Sequence, residues 1–155
     1  MTLQHFKSVI VPLDGSENAL RALDYAAALA KANGMALHLL HVSPPTPTEL
    51  MKAMGYSQRL RRLADASMGD FVELRQEAGQ QVLAAARERL PADMAPVEAI
   101  RSGDPAHAIL EYLESQDDAV IVMGRRGLSH FRELLMGSVS EKVLHLATCP
   151  VTILR

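Results

Sequence analysis

The chain has 155 residues, of which 48% are apolar and 22% charged, and its formal net charge is -2. This length suits one domain around one core, and the apolar content excludes a disordered chain. The near-neutral charge, the lack of Trp and an aromatic content of 4% remove the electrostatic and stacking grounds for nucleic-acid binding, and the charge argues against an anionic membrane.

The lone cysteine, Cys149, excludes an internal disulfide framework and a multi-cysteine metal site. Lying between a helix and a terminal apolar run, it reads as a buried, inert thiol. No apolar stretch approaches the ~20 residues that span a bilayer. Residues 1–13 carry too short an apolar run, and no cleavage-like site, for a signal peptide. The expected location is the cytoplasm.

The elements follow in chain order. The run SVIVPL at 8–13 reads as a strand buried on both faces, with Pro12 closing its ladder and Asp14-Gly15 forming the turn. Ser16 is a good N-cap, and Ala19, Leu20, Leu23, Ala26, Ala27 and Ala30 recur at helical spacing up to the stop signal Asn33-Gly34. ALHLLHV at 36–42 is a second buried strand. Pro44, Pro45 and Pro47 then forbid regular structure and open an excursion over residues 43–67, with one or two helical turns within 48–55. A helical pattern runs from about 57 to 90 with a break near Met68-Gly69. VEAIR at 97–101 is a short strand, and Asp104-Pro105 opens a helix to about Ser115. AVIVM at 119–123 is the clearest buried strand and Gly124 ends it. Residues 125–137 form a loop with a helical turn near 131–136, a helix follows over 138–147, and residues 151–154 form the last strand.

Strict alternation of continuous apolar strands with helices predicts an α/β fold with a parallel sheet covered on both faces. In such a sheet, ligands bind beyond the strand carboxyl ends where the winding reverses. Two loops stand out there: the turn holding Asp14, and Gly124-Arg125-Arg126-Gly127 continuing to Gly137-Ser138. Gly124 and Gly127 permit positive φ and close backbone approach to a ligand. Gly137-Ser138 opens a helix whose unpaired amides and dipole favour an anion, and Ser138 adds a hydroxyl. Arg125 and Arg126 either screen phosphate charge or lie in solvent. Spacing alone fits a phosphate cradle and ordinary turns equally well.

The segment Gly124-x2-Gly127-x9-Gly137-Ser138 resembles the nucleotide motif of the universal stress protein family, in its ATP-binding branch. The N-terminal VIVPLDGSENALRALDYAAALA, the LHLLHV strand and the closing CPVTIL resemble that family too, so the likeness covers nearly the whole chain apart from residues 43–67. The resemblance implies one nucleotide-binding domain over residues 1–155, with a five-stranded sheet in the order 3-2-1-4-5. It implies bound ATP, or AMP or ADP, with Mg2+ or Mn2+. Pro12 and Val42 would border the adenine and ribose, Val42 through its main chain, and Asp14 would lie near the ribose or a phosphate-bound metal. Met123, Gly124, Gly127, Gly137, Ser138 and Val139 would line the rest, with Ser140 a weaker candidate and Arg125 the least transferable. A homodimer through strand Val151–Leu154 and an unidentified protein partner complete the expectation.

The remaining residues narrow the chemistry. His38 and His41 lie three apart on a strand and face opposite sides, so they share no metal. His107, His130 and His145 are scattered, which leaves little basis for zinc. There is no G-x4-G-K-[ST] loop, no G-x-G-x-x-G opening a helix, and no nucleophile with an adjacent base. A regulatory nucleotide-binding protein is therefore expected. The alternatives are a weak metal-dependent ATPase using Asp14 or Glu133, and a dimeric interaction module indifferent to nucleotide. Residues 43–67, with Met51, Met54 and the basic run at 59–62, serve either as a lid or as a solvated surface excursion.

Overall fold

The computed structural model describes residues 5–54, 68–127 and 136–155. Its elements are β1 (Ser8–Pro12), α1 (Glu17–Asn33), β2 (Ala36–Ser43), α2 (Pro47–Met54), α3 (Met68–Arg89), β3 (Val97–Ser102), α4 (Pro105–Glu114), β4 (Ala119–Gly124), α5 (Ser138–Leu146) and β5 (Val151–Leu154). The strands form one parallel five-stranded sheet in the order β3-β2-β1-β4-β5, as expected.

Side-chain alternation along the central strands divides the core between the two faces. Val9 and Val11, Leu37 and Leu39, and Val120 and Val122 pack with the buried stripe of α1 and with Leu83 and Ala86 of α3. Ile10, Leu40, Ile121 and Met123 face the other way, against Ile109, Tyr112 and Leu113 of α4 and Val143 of α5. Covering both faces is what makes the central strands read as unbroken apolar runs. Each fully buried Val, Leu or Ile contributes about 1.5–3 kcal/mol relative to exposure.

The local signals act as read from the sequence at most helix ends. Ser16 Oγ accepts the Ala19 amide at 3.2 Å, and Gly34 closes α1 in the left-handed region at φ 66°. Asp104 caps α4 by accepting the His107 amide at 2.9 Å, with Pro105 in the first turn. Pro44 and Pro45 lie outside regular structure, and the one or two turns expected within 48–55 appear as α2, but Pro47 is a correction. Pro47 starts α2, because a first-turn proline loses no helical hydrogen bond. Thr46 caps it: its Oγ1 accepts the Glu49 amide at 3.3 Å and its hydroxyl donates to the Glu49 carboxylate at 2.8 Å. The expected helix across 57–67, the basic run within it and the turn expected near 131–136 lie outside the described residues, wholly or nearly so.

Candidate functional site

The sheet winds one way from β1 to β2 and the other way from β1 to β4, so the chain departs in opposite directions beyond β1 and β4. A cavity of about 290 Å3 lies at this switch point. Its floor is apolar: Pro12 and Leu13 from the end of β1, Leu40 and Val42 from β2, and Met123 from β4. Pro105 and Ile109, one turn apart on α4, and Ala19 of α1 add apolar wall. Its other side is mostly polar, formed by Asp14, Gly124, Arg126, Gly127, Gly137, Ser138 and Ser140, with Val139 the apolar member. Leu13, Leu40 and Met123 are buried, whereas Gly127 and Ser138 are exposed, so the cavity grades from an apolar interior to a polar rim.

Eleven of the twelve residues proposed from sequence therefore surround one cavity, and the twelfth, Arg125, does not line it. Arg125 acts through its main chain instead. Its amide donates to Leu154 O at 2.7 Å and its carbonyl accepts the Gly137 amide at 2.8 Å. Leu13, Ala19, Leu40, Pro105 and Ile109 were not anticipated. The period of two that puts Leu40 on the same face as Val42 was a usable signal, as was the i, i+4 spacing from Pro105 to Ile109.

The glycines work differently from expectation. Among the described glycines, positive φ belongs to Gly15, Gly34 and Gly103, and not to Gly124 or Gly127. What Gly124 and Gly127 supply is close approach. A Cβ on Gly124 would stand 2.9 Å from the Asn18 backbone and side chain, where the first turn of α1 crosses β4. A Cβ on Gly127 would collide with Asp14 Oδ2, so the loops after β1 and β4 touch across the cavity only because residue 127 has no side chain. The other oxygen, Asp14 Oδ1, accepts the Ser16 amide at 2.9 Å and holds the turn that leads into α1.

Helix α5 begins at this rim with Gly137 as N-cap and no side-chain capping hydrogen bond. Gly137 thus offers its first-turn amides no side-chain acceptor, and the positive end of the helix dipole opens on the cavity. Ser140 lines the cavity, but its hydroxyl donates to Gly124 O at 2.8 Å and ties α5 to the end of β4. Ser138 is exposed in the first turn. Among the described residues, no group of three or more His, Cys, Asp and Glu stands ready to hold a metal ion.

The buried histidines face opposite sides of the sheet, as read from their spacing. His38 Nδ1 lies 2.9 Å from the Tyr112 hydroxyl on the α4 side. His41 Nδ1 lies 2.8 Å from Leu13 O, and burial pushes its pKa below the ordinary histidine value against the opposing pull of the Leu13 bond and Asp14. Cys149 is half-buried against the α4–α5 core rather than fully buried, and burial raises its thiol pKa. A larger cleft of about 680 Å3 lies between α3 and the β3 edge, lined by residues such as Arg75, Gln76, Gln80 and Glu98. Among the described residues that line it there is no glycine and no helix N-cap, and it sits away from the switch point. No helix among the described residues is long and apolar enough to cross a membrane.

Comparison with known proteins agrees with this architecture. A profile described as "Universal stress protein family" matches residues 5–155. The universal stress protein YxiE of Bacillus subtilis is 34% identical over 154 residues, covering 97% of this chain and 99% of its own. A universal stress protein from Archaeoglobus fulgidus, solved in complex with dAMP, superposes with a TM-score of 0.61 at 20% identity, over 97% of this chain and 99% of that one. Another universal stress protein, solved in complex with cAMP, gives a TM-score of 0.64 at 22% identity, over 97% and 98% of the two chains. By profile, by identity along nearly its full length and by fold, the chain belongs to the universal stress protein family.

Proposed function

We infer that the chain binds an adenine nucleotide (ATP, or AMP or ADP) in the cavity between β1 and β4, and that binding serves regulation rather than turnover. The observation that carries this reading is the gradient across the cavity. A buried apolar floor suits a base and ribose, and the rim, with an α5 N-terminus lacking a side-chain cap, suits phosphate. The cAMP and dAMP complexes of two solved relatives support adenine nucleotides as the ligand class.

In this reading the base lies between Pro12, Val42, Ile109 and Met123, with the Val42 main chain within reach of the base or ribose. The phosphates meet Gly127, Gly137 and the amides of Ser138 and Val139, while Arg126 neutralises part of their charge. Among the described residues, Asp14 is the one carboxylate that lines the cavity. A Mg2+ or Mn2+ ion carried by the phosphates would take Asp14 as its protein ligand and fill its remaining positions with phosphate oxygens and water. Ligand binding reshapes the rim and thereby the surface offered to a partner protein. The β5 edge, with Leu144 and Leu146 exposed at 41% and 56% on the neighbouring helix, supports a homodimer through Val151–Leu154.

The test is to purify the protein without added nucleotide, denature it, and analyse the supernatant by mass spectrometry, then to titrate ATP, ADP and AMP by calorimetry. Retained or titratable adenine nucleotide supports the reading. Absence of both defeats it. Light scattering at micromolar concentration tests the dimer, which a clean monomer would refute.

A further inference from the structure

His41 lines no part of the cavity, yet it grips the loop that does. Leu13 O accepts only, so the 2.8 Å contact requires a proton on His41 Nδ1. Leu13 is held from its other end as well, because its amide donates to Leu40 O at 2.8 Å. Beyond Pro12 the β1–β2 ladder has ended, and these two bonds fix the last residue before Asp14. The imidazole occupies the face of β2 opposite Leu40 and Val42, so it reaches the loop from behind the cavity floor. It is only 7% exposed, and its Cδ2 would lie 3.0 Å from a Cβ on Gly79 of α3. A side chain at position 79 would therefore press on the ring.

We propose that His41 is a positioning residue of the nucleotide site: its ring packs against Gly79 through Cδ2, and its Nδ1–H clamps the Leu13 carbonyl and so sets the Asp14 turn against the Gly127 loop. Its functional consequence rests on the nucleotide reading above. A buried donor that is the side-chain partner of a carbonyl at a strand's frayed end does more than fill space. Without it, the Leu13 carbonyl is left to turn away, and Asp14 turns with it. The coupling also runs outward, since any shift of α3 toward β2 is delivered to the ring.

Three variants test this by calorimetric titration with ATP. His41→Asn keeps an N–H donor near the Nδ1 position and is expected to bind within about threefold of the parent, whereas His41→Leu, which keeps bulk without a donor, is expected to bind about tenfold more weakly. Gly79→Ala favours the helix by propensity but crowds the ring, and is expected to weaken binding about threefold while leaving the fold intact. Equal losses in the Asn and Leu variants, or parent-like binding by a folded Leu variant, would overturn the proposal. Amide exchange provides a readout independent of nucleotide. The Ser16 amide, bound to Asp14 Oδ1, should lose protection in His41→Leu relative to the Ile121 amide, bound to Pro150 O in the sheet. If the parent binds no ATP, the nucleotide reading fails, and the Ser16-to-Ile121 exchange ratio alone decides the positioning role. A parallel loss at both amides, or none at either, refutes it.

Discussion

Gly127→Ala is the sharpest test of how the two loops meet. Residue 127 does not have positive φ, so alanine there suffers no backbone penalty, and the whole effect must come from the new Cβ meeting Asp14 Oδ2. Either the carboxylate swings away and gives up the Ser16 amide at 2.9 Å, or the loop retreats from the cavity. A hydrogen bond to a charged group contributes about 1.5–3 kcal/mol, and partial exposure puts this one at the lower end, about 1.5 kcal/mol. For a chain of this size the melting temperature should fall by about 3–6 °C. ATP affinity should fall about tenfold if the phosphate side of the cavity is reset by the same amount. Both are read by thermal unfolding without ligand and by calorimetric titration. The decisive comparison is the same substitution in an Asp14→Ala background, where the collision is gone and Gly127→Ala should change stability by less than about 0.5 kcal/mol. An equal loss in both backgrounds would refute the steric account. Gly137→Ala is the internal control, since its nearest neighbours, Arg125 O and Arg126 Cα, stand at 3.4 Å and leave room for a methyl group.

Three further predictions follow from the packing. Burial holds the folded-state pKa values of His38 and His41 below the ordinary histidine value, so the unfolded chain takes up protons first as pH falls. Stability should therefore decline from about pH 6.5 downward through the folded-state values; a urea midpoint that stays level or rises between pH 7 and 5 would contradict this. Gly124→Ala forces a Cβ to 2.9 Å from the Asn18 backbone and should cost about 1–3 kcal/mol in urea unfolding, as overpacked sites do; parent-like stability would mean that α1 yields easily. Ser140→Ala removes the 2.8 Å bond to Gly124 O and should cost about 1 kcal/mol of stability with less than threefold change in ATP affinity; a tenfold affinity loss would instead give its hydroxyl a direct part in binding.

The elements that were legible in the sequence are those whose signals are local. AVIVM reads as a strand because β4 is buried on both faces, and Ser16 and Asp104-Pro105 mark helix starts because capping involves only the next three residues. The start of α2 was also written locally, in the Thr46 side-chain cap on the Glu49 amide, but Pro47 read as a barrier obscured it. The candidate site was legible as a set of loops at one sheet edge, and eleven of its residues line one cavity. Their physical roles were not. That Gly127 faces Asp14, that Gly124 faces Asn18, and that Arg126 rather than Arg125 lines the cavity all depend on contacts between segments roughly a hundred residues apart in sequence. His41 carried a signal for burial on a strand, but nothing local indicates that its ring ends on the Leu13 carbonyl.

The main chain of Arg125 has one more consequence. Leu154 O, the Arg125 main chain and the Gly137 amide form two hydrogen bonds in series, running from the sheet's outer strand to the N-cap of α5. Tension applied at β5 is therefore passed to the mouth of the cavity through one residue, Arg125, whose amide and carbonyl lie on two adjacent peptide planes. On the nucleotide reading, an affinity tag, a surface tether or a neighbouring strand that pulls on residues 151–154 should change ATP affinity without touching the ligand. For this fold, the point of attachment in an assay belongs among the experimental variables.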